Sequence, residues 1–160
     1  MQGFTSNAQP ACSEVKTMTA DEIQIRQLID GWAGAIRDKN IEAAVSQYAH
    51  DILLYDLAPP LVHRGVDLYK NELAEWFATF QGAVGFEVHD LSITVGDVVA
   101  FATSLNHITG KRTSGEQSDI WVRATIGFAK KDGGWRVTHE HFSVPFYMDG
   151  TDKAAVDLKP

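Results

Sequence analysis

The sequence predicts an α+β domain with its helices first and its long strands last. Apolar residues recur at three- and four-residue spacing as far as Phe80, the signature of helices with one buried face. From Gly82 onward, β-branched and aromatic residues gather in four long runs separated by turn residues, the signature of an antiparallel meander. No βαβ alternation and no glycine-rich phosphate loop occur, so a parallel sheet with a dinucleotide site has no support.

The helical part begins at Thr19-Ala20-Asp21-Glu22, a capping box in which hydroxyl and carboxylate satisfy the first free amides of a helix. Ile25, Leu28, Ile29, Trp32 and Ile36 then form one apolar stripe, with Arg26, Asp30 and Arg37 off it. Asn40 caps a second helix carrying Ile41, Ala44, Val45 and Tyr48, expected to end near His50-Asp51. Ile52 to Asp56 reads as a short strand stopped by Pro59-Pro60, because proline cannot donate to a ladder. Gly65 precedes a third helix with Tyr69, Leu73, Trp76, Phe77 and Phe80 on one face. Phe86 to Val95, Val98 to Thr109, Gln117 to Ala129 and Trp135 to Val144 are the four strands of the meander.

With 160 residues, 44% apolar and 22% charged, the chain suits one globular domain. Its 14 basic against 21 acidic residues leave a net charge of −7, which disfavours nucleic acid and anionic membrane surfaces as partners. The single cysteine, Cys12, has no partner for an internal disulfide, which suits a reducing compartment. Met1 to Thr17 has neither a basic nor an apolar block of a secretory signal, so a cytoplasmic protein is expected. Residues 1–18 are expected to be a flexible extension, 19–147 the folded domain and 148–160 a C-terminal tail.

Three segments resemble the SnoaL-like and ketosteroid-isomerase-like proteins of the nuclear-transport-factor-2-like superfamily. Trp32 to Asp51 (WAGAIRDKNIEAAVSQYAHD) is similar to their first two helices and the polar turn between them. Tyr55-Asp56-Leu57, running to His63-Arg64-Gly65, resembles their acidic strand end and the glycine before the third helix. Trp135 to Phe146 (WRVTHEHFSVPF) resembles their final strand and that of the calcium/calmodulin-dependent kinase association domain. The resemblance implies a cone: three N-terminal helices packed on a strongly curved, mainly antiparallel sheet that encloses a small-molecule pocket, with no organic cofactor. It leaves two functions open, since this fold hosts isomerases, cyclases and dehydratases as well as non-catalytic assembly modules.

Asp56 stands where the isomerases keep the aspartate that removes a proton beside a carbonyl; the plain alternative is an aspartate ending a strand before a turn. Trp32 occupies the place of their oxyanion tyrosine, and an apolar residue near Ala124 that of their protonated aspartate, so a steroid isomerase with the usual oxyanion hole is not expected. His139 and His141 lie two apart on a strand, with Ser143 beyond them and Glu140 and Phe142 opposite; by resemblance the histidine face looks into the pocket, as acid or orienting group for Asp56. The same histidines could ligate a metal with Asp56 or His63, but no third ligand stands at a fixed spacing, and no metal site is assigned. Tyr48, Tyr55 and Trp76 are core aromatics or ligand wall, and Asp119 and Arg123 are a charged pair beside Trp121; Trp32, Trp121 and Arg123 join the three aromatics as the expected ligand contacts. His89 and His107 have no role in this reading. Apolar residues stand on both sides of the third meander strand, Ile120, Val122, Ala124 and Ile126 against Trp121 and Thr125, which predicts a homodimer covering the side the helices leave free.

Overall fold

A computed structural model describes residues 17–160. The expected extension falls almost wholly outside them. Helix α1 spans Ala20–Arg37 and starts as the capping box requires, with Thr19 Oγ1 accepting from the Glu22 amide at 3.1 Å. Its buried side is Ile25, Ile29, Trp32, Ala33 and Ile36, where each large side chain contributes about 1.5–3 kcal/mol by leaving water. Two polar ties fix its ends on the sheet. Trp135 Nε1 donates to Asp21 at 2.9 Å, and Arg37 donates to the Phe86 carbonyl at 2.9 Å.

Helix α2 is only Ile41–Val45, capped by Asn40 Oδ1 on the Ala43 amide. The expected continuation to His50 does not form: Tyr48 instead opens strand β1, Tyr48–Tyr55. Tyr48 keeps helical spacing to Val45, but a strand position lets its ring enter the core beside the sheet, and tertiary packing decides over local periodicity. A two-residue strand β2, His63–Arg64, follows, then helix α3, Val66–Ala78. Gly65 joins them with φ 86° and ψ 147°, a conformation closed to other residues, while its amide donates to the Ile52 carbonyl.

Strands β3 (Phe80–Val95), β4 (Val99–Arg112), β5 (Gln117–Lys131) and β6 (Gly134–Ser143) form the expected meander. The sheet has six strands in the order β2-β1-β6-β5-β4-β3, with β1 and β6 parallel and every other pair antiparallel. Its curvature has local causes. β3 breaks register between Gln81 and Gly85, where Gly82 has φ 71°, and again between His89 and Ser92, where Asp90 has φ 52°. Such bulges bend a strand and increase its twist, which wraps the sheet around α1.

The core lies between the helices and the concave face, where Ala102, Ile108, Val122, Ala124, Ile126 and Phe128 alternate inward. Residues 148–160 are more than a tail: Ala155 is buried, its amide donates to the Pro145 carbonyl, and Phe146 bridges to Ala154. No helix among the described residues is long and apolar enough to cross a membrane.

Candidate functional site

Strand β6 places a buried carboxyl in the concave face. Gly127 of β5 pairs with His139 and Phe128 with Val137, so Thr138 is an extra residue without a partner. Trp135 and Val137 point inward before this bulge; after it, Glu140 and Phe142 do. Gly127 permits the close approach, since a Cβ there would lie 3.3 Å from that of His139. One row across the concave face then reads His63, Leu54, Glu140, Ile126, Ala102.

Glu140 is 1% exposed, and Tyr48 donates its hydroxyl proton to Oε2 at 2.8 Å. Burial pushes the carboxyl up to about 8; the Tyr48 hydrogen bond works against the rise and the charge of Asp56 adds to it. Tyr48 stacks on Tyr69 of α3 with ring centroids 5.7 Å apart, and both phenols are raised well above their ordinary value, by burial first and then by Glu140. Asp56 directly follows β1, half-buried, and its Oδ1 accepts from the Leu57 amide at 2.6 Å. It is near enough for its charge to raise Glu140 and Tyr69, though it bonds to neither.

Trp32 packs edge-on to Phe86 at 5.0 Å and parallel to Phe142 at 6.0 Å. Its indole N–H is buried without a partner among the described residues, as is the side-chain oxygen of Gln47. Both residues, with Glu140 and Tyr48, line a crevice of about 10 Å³ between α1 and the sheet, room for roughly one water. His63 is buried too, paired through Nδ1 with Glu72 of α3, with Nε2 3.3 Å from the Ala58 carbonyl, so it is not free to join His139 in a metal site.

Trp32 and Tyr48 thus line one crevice, with Asp56 close enough to act on Glu140, but the histidines face the other way. His139 and His141 lie on the convex side, where both meet the edge of Tyr55, at 5.1 and 5.7 Å, and His139 Nδ1 contacts the Leu53 carbonyl. The unpaired Thr138 reverses the alternation and is the cause. Tyr55, itself 38% exposed, is on that convex side, as are Trp121 and the exposed Arg123. Asp119 pairs with His107 and Lys159 rather than with Arg123. Trp76 packs on Phe77 and Phe80 and does not line the crevice. Glu140 was open to detection: counting back by twos from Phe142 and Val144 puts it inside, whereas counting forward from Trp135 and Val137 puts His139 inside, and that conflict is the mark of a bulge.

The SnoaL-like domain family matches residues 25–147. No curated protein matches in sequence. Among solved structures, an NTF2-like protein of unknown function from Pseudomonas putida KT2440 is 36% identical, over 89% of this chain and 99% of its own, with a TM-score of 0.81. A ketosteroid isomerase-like protein from Erwinia carotovora atroseptica is 17% identical, over 79% of this chain and 97% of its own, at 0.68. A protein provisionally named a dehydratase of the NTF2-like family, from Streptomyces avermitilis, is 19% identical, over 77% and 95%, at 0.67. The last two show a shared fold, and the first, with the family match, shows more: this chain belongs to the SnoaL-like, NTF2-like family.

Proposed function

We propose that the chain binds a small, largely apolar carbonyl compound in its cone and acts on it by general acid–base chemistry of the isomerase, cyclase or dehydratase kind. The observation that carries this reading is Glu140, buried in the cone and hydrogen-bonded to Tyr48, its carboxyl pushed up to about 8 by that burial, with Asp56 near enough to add to the rise. A buried carboxyl raised by its surroundings, next to a second, half-buried carboxyl, offers two groups for an acid–base division of labour. Asp56 takes the proton next to the carbonyl; Glu140, as the neutral acid, donates a hydrogen bond or proton to the oxygen where charge develops. Trp32 N–H and Gln47 Oε1, buried and unpartnered, orient the polar end of the ligand.

A ligand of this class needs a few hundred Å³. Binding therefore requires the Trp32 ring, or α1 with it, to move off the sheet. Asp56→Asn and Glu140→Gln should each fold and each lose about 10²–10⁴-fold in turnover of a carbonyl substrate found by screening. Full activity in both variants would end the assignment. The narrowness of the crevice favours a second reading, a non-catalytic assembly module in which Glu140 only organises the core. Under it, no member of a carbonyl library shifts the melting temperature.

Either reading is best served by a homodimer. The convex face carries exposed Val99 and Phe101, 61% and 49% accessible, next to Val98 in the preceding turn, and the helices cover only the concave side. Sedimentation at micromolar concentration should give twice the chain mass, and Phe101→Glu should halve it. A monomeric wild-type chain would count against pairing through this face.

A further inference from the structure

The convex face holds a cluster separate from Glu140 and on the other side of the sheet. Glu87 of β3 and His107 of β4 are direct cross-strand partners, and His89 lies two residues beyond Glu87 on the same side. Glu87 Oε2 is 2.9 Å from His89 Nε2 and 3.7 Å from His107 Nδ1, and one donor atom from each of the three residues lies within 4.8 Å of the others. These separations bracket the ligand–ligand distance of about 3.3 Å that bonds of about 2.0 Å give around a tetrahedral zinc ion.

The neighbours fix the chemistry. His107 Nε2 lies 2.8 Å from Asp119 Oδ1, and a carboxylate only accepts, so the ring proton sits on Nε2. With that proton on Nε2, Nδ1 faces Glu87 Oε2 at 3.7 Å and is the ring atom placed to ligate a cation held between them. Asp119 then stands behind His107 as outer carboxylates stand behind metal-bound imidazoles, and Lys159 holds its other oxygen. Trp121 stacks on the His107 ring at 4.4 Å and 8° and lies 4.9 Å from that of His89, which fixes both rings in place.

We propose that Glu87, His89 and His107 form a zinc-binding site, with Asp119 as the positioning residue for His107 and the fourth position open to water. All three ligands come from one chain and two paired strands, so the site needs no second copy. Zinc is favoured over calcium or magnesium because two of the three donors are imidazole nitrogens.

The test is calorimetric titration of zinc chloride into untagged, chelator-stripped full-length protein. One ion per chain should bind with micromolar affinity. His107→Gln and Glu87→Gln should each weaken binding by about 100-fold or more, and Asp119→Asn by about 10–100-fold. His141→Gln, in the other histidine pair of this face, should leave the affinity unchanged. Cobalt(II) should bind with the same variant dependence, develop the visible absorption of a four-coordinate centre and quench the emission of Trp121. None of the substituted side chains lies in the core, so far-ultraviolet circular dichroism should not change. No saturable one-to-one binding at millimolar zinc, binding that survives His107→Gln, or binding that disappears in His141→Gln would each overturn the proposal.

Discussion

Raising the pH from about 5 to about 9 should destabilise this protein, and the Glu140→Gln variant should escape most of that loss. Glu140 has an ordinary value of 4.5 and a folded-state value of about 8. Between the two, the folded chain holds a proton that the unfolded chain has released, so stability falls as pH rises through that window. The contribution is fully present below 4.5 and gone above about 8. A shift of this size corresponds to something on the order of 5 kcal/mol across the window. The other shifted carboxyls and the two core phenols lie outside this window. Asp21, Asp51, Glu87, Asp119 and Asp149 are lowered by hydrogen bonds, so what they add is present at neutral pH and lost only in acid. Tyr48 and Tyr69, which face Glu140, are raised and titrate above it. Glutamine carries no titrating proton, and its amide oxygen still accepts from Tyr48. Urea midpoints at a series of pH values should slope downward for the wild type and run nearly flat for the variant. Parallel curves would mean that Glu140 is hydrated in solution and no neutral acid at neutral pH.

The same residue shows where the sequence is legible and where it is not. Local rules carry the helices: Thr19 and Asn40 cap where their side chains demand, and the stripe from Ile25 to Ile36 is the face that is buried. They carry the four meander strands as well, because turn glycines and charged tips separate the β-branched runs. They fail at register. One unpaired residue, Thr138, exchanges the faces of Glu140 and His139, and nothing in a two-residue period announces on which side of it the count should begin. They also fail at pairing over distance. Glu87 and His107 are ordinary strand residues until β3 and β4 meet in the register that sets them opposite each other, with Asp119 brought in from β5. Tyr48 is lost to helical spacing for a related reason: its place is decided by Glu140 and Tyr69, neither of them its neighbour in the chain.

Trp32→Ala should move stability and ligand affinity in opposite directions. The indole is 7% exposed and wedged between Phe86 and Phe142, so truncation removes its contacts and leaves a void that α1 and the sheet, tied through Asp21 and Arg37, cannot fully close. A cost of about 3–5 kcal/mol is expected for such a change. Among the described residues no hydrogen bond is lost with it, because the indole N–H has no partner there. The void would adjoin the crevice beside Glu140, lined by Tyr48, Ile126 and Phe128, and an apolar cavity of this kind admits small aromatic molecules. Indole or a phenyl ketone should therefore raise the melting temperature of Trp32→Ala by several degrees at millimolar concentration and raise that of the wild type far less, since in the wild type the ring must first be displaced. Trp32→Phe, which refills most of the space, should lie between them in both measurements. If Trp32→Ala is as stable as the wild type, the ring is not packed in the cone as described; if it is destabilised yet blind to every small aromatic compound, the cone does not open along Trp32, and the proposed route to Glu140 is wrong.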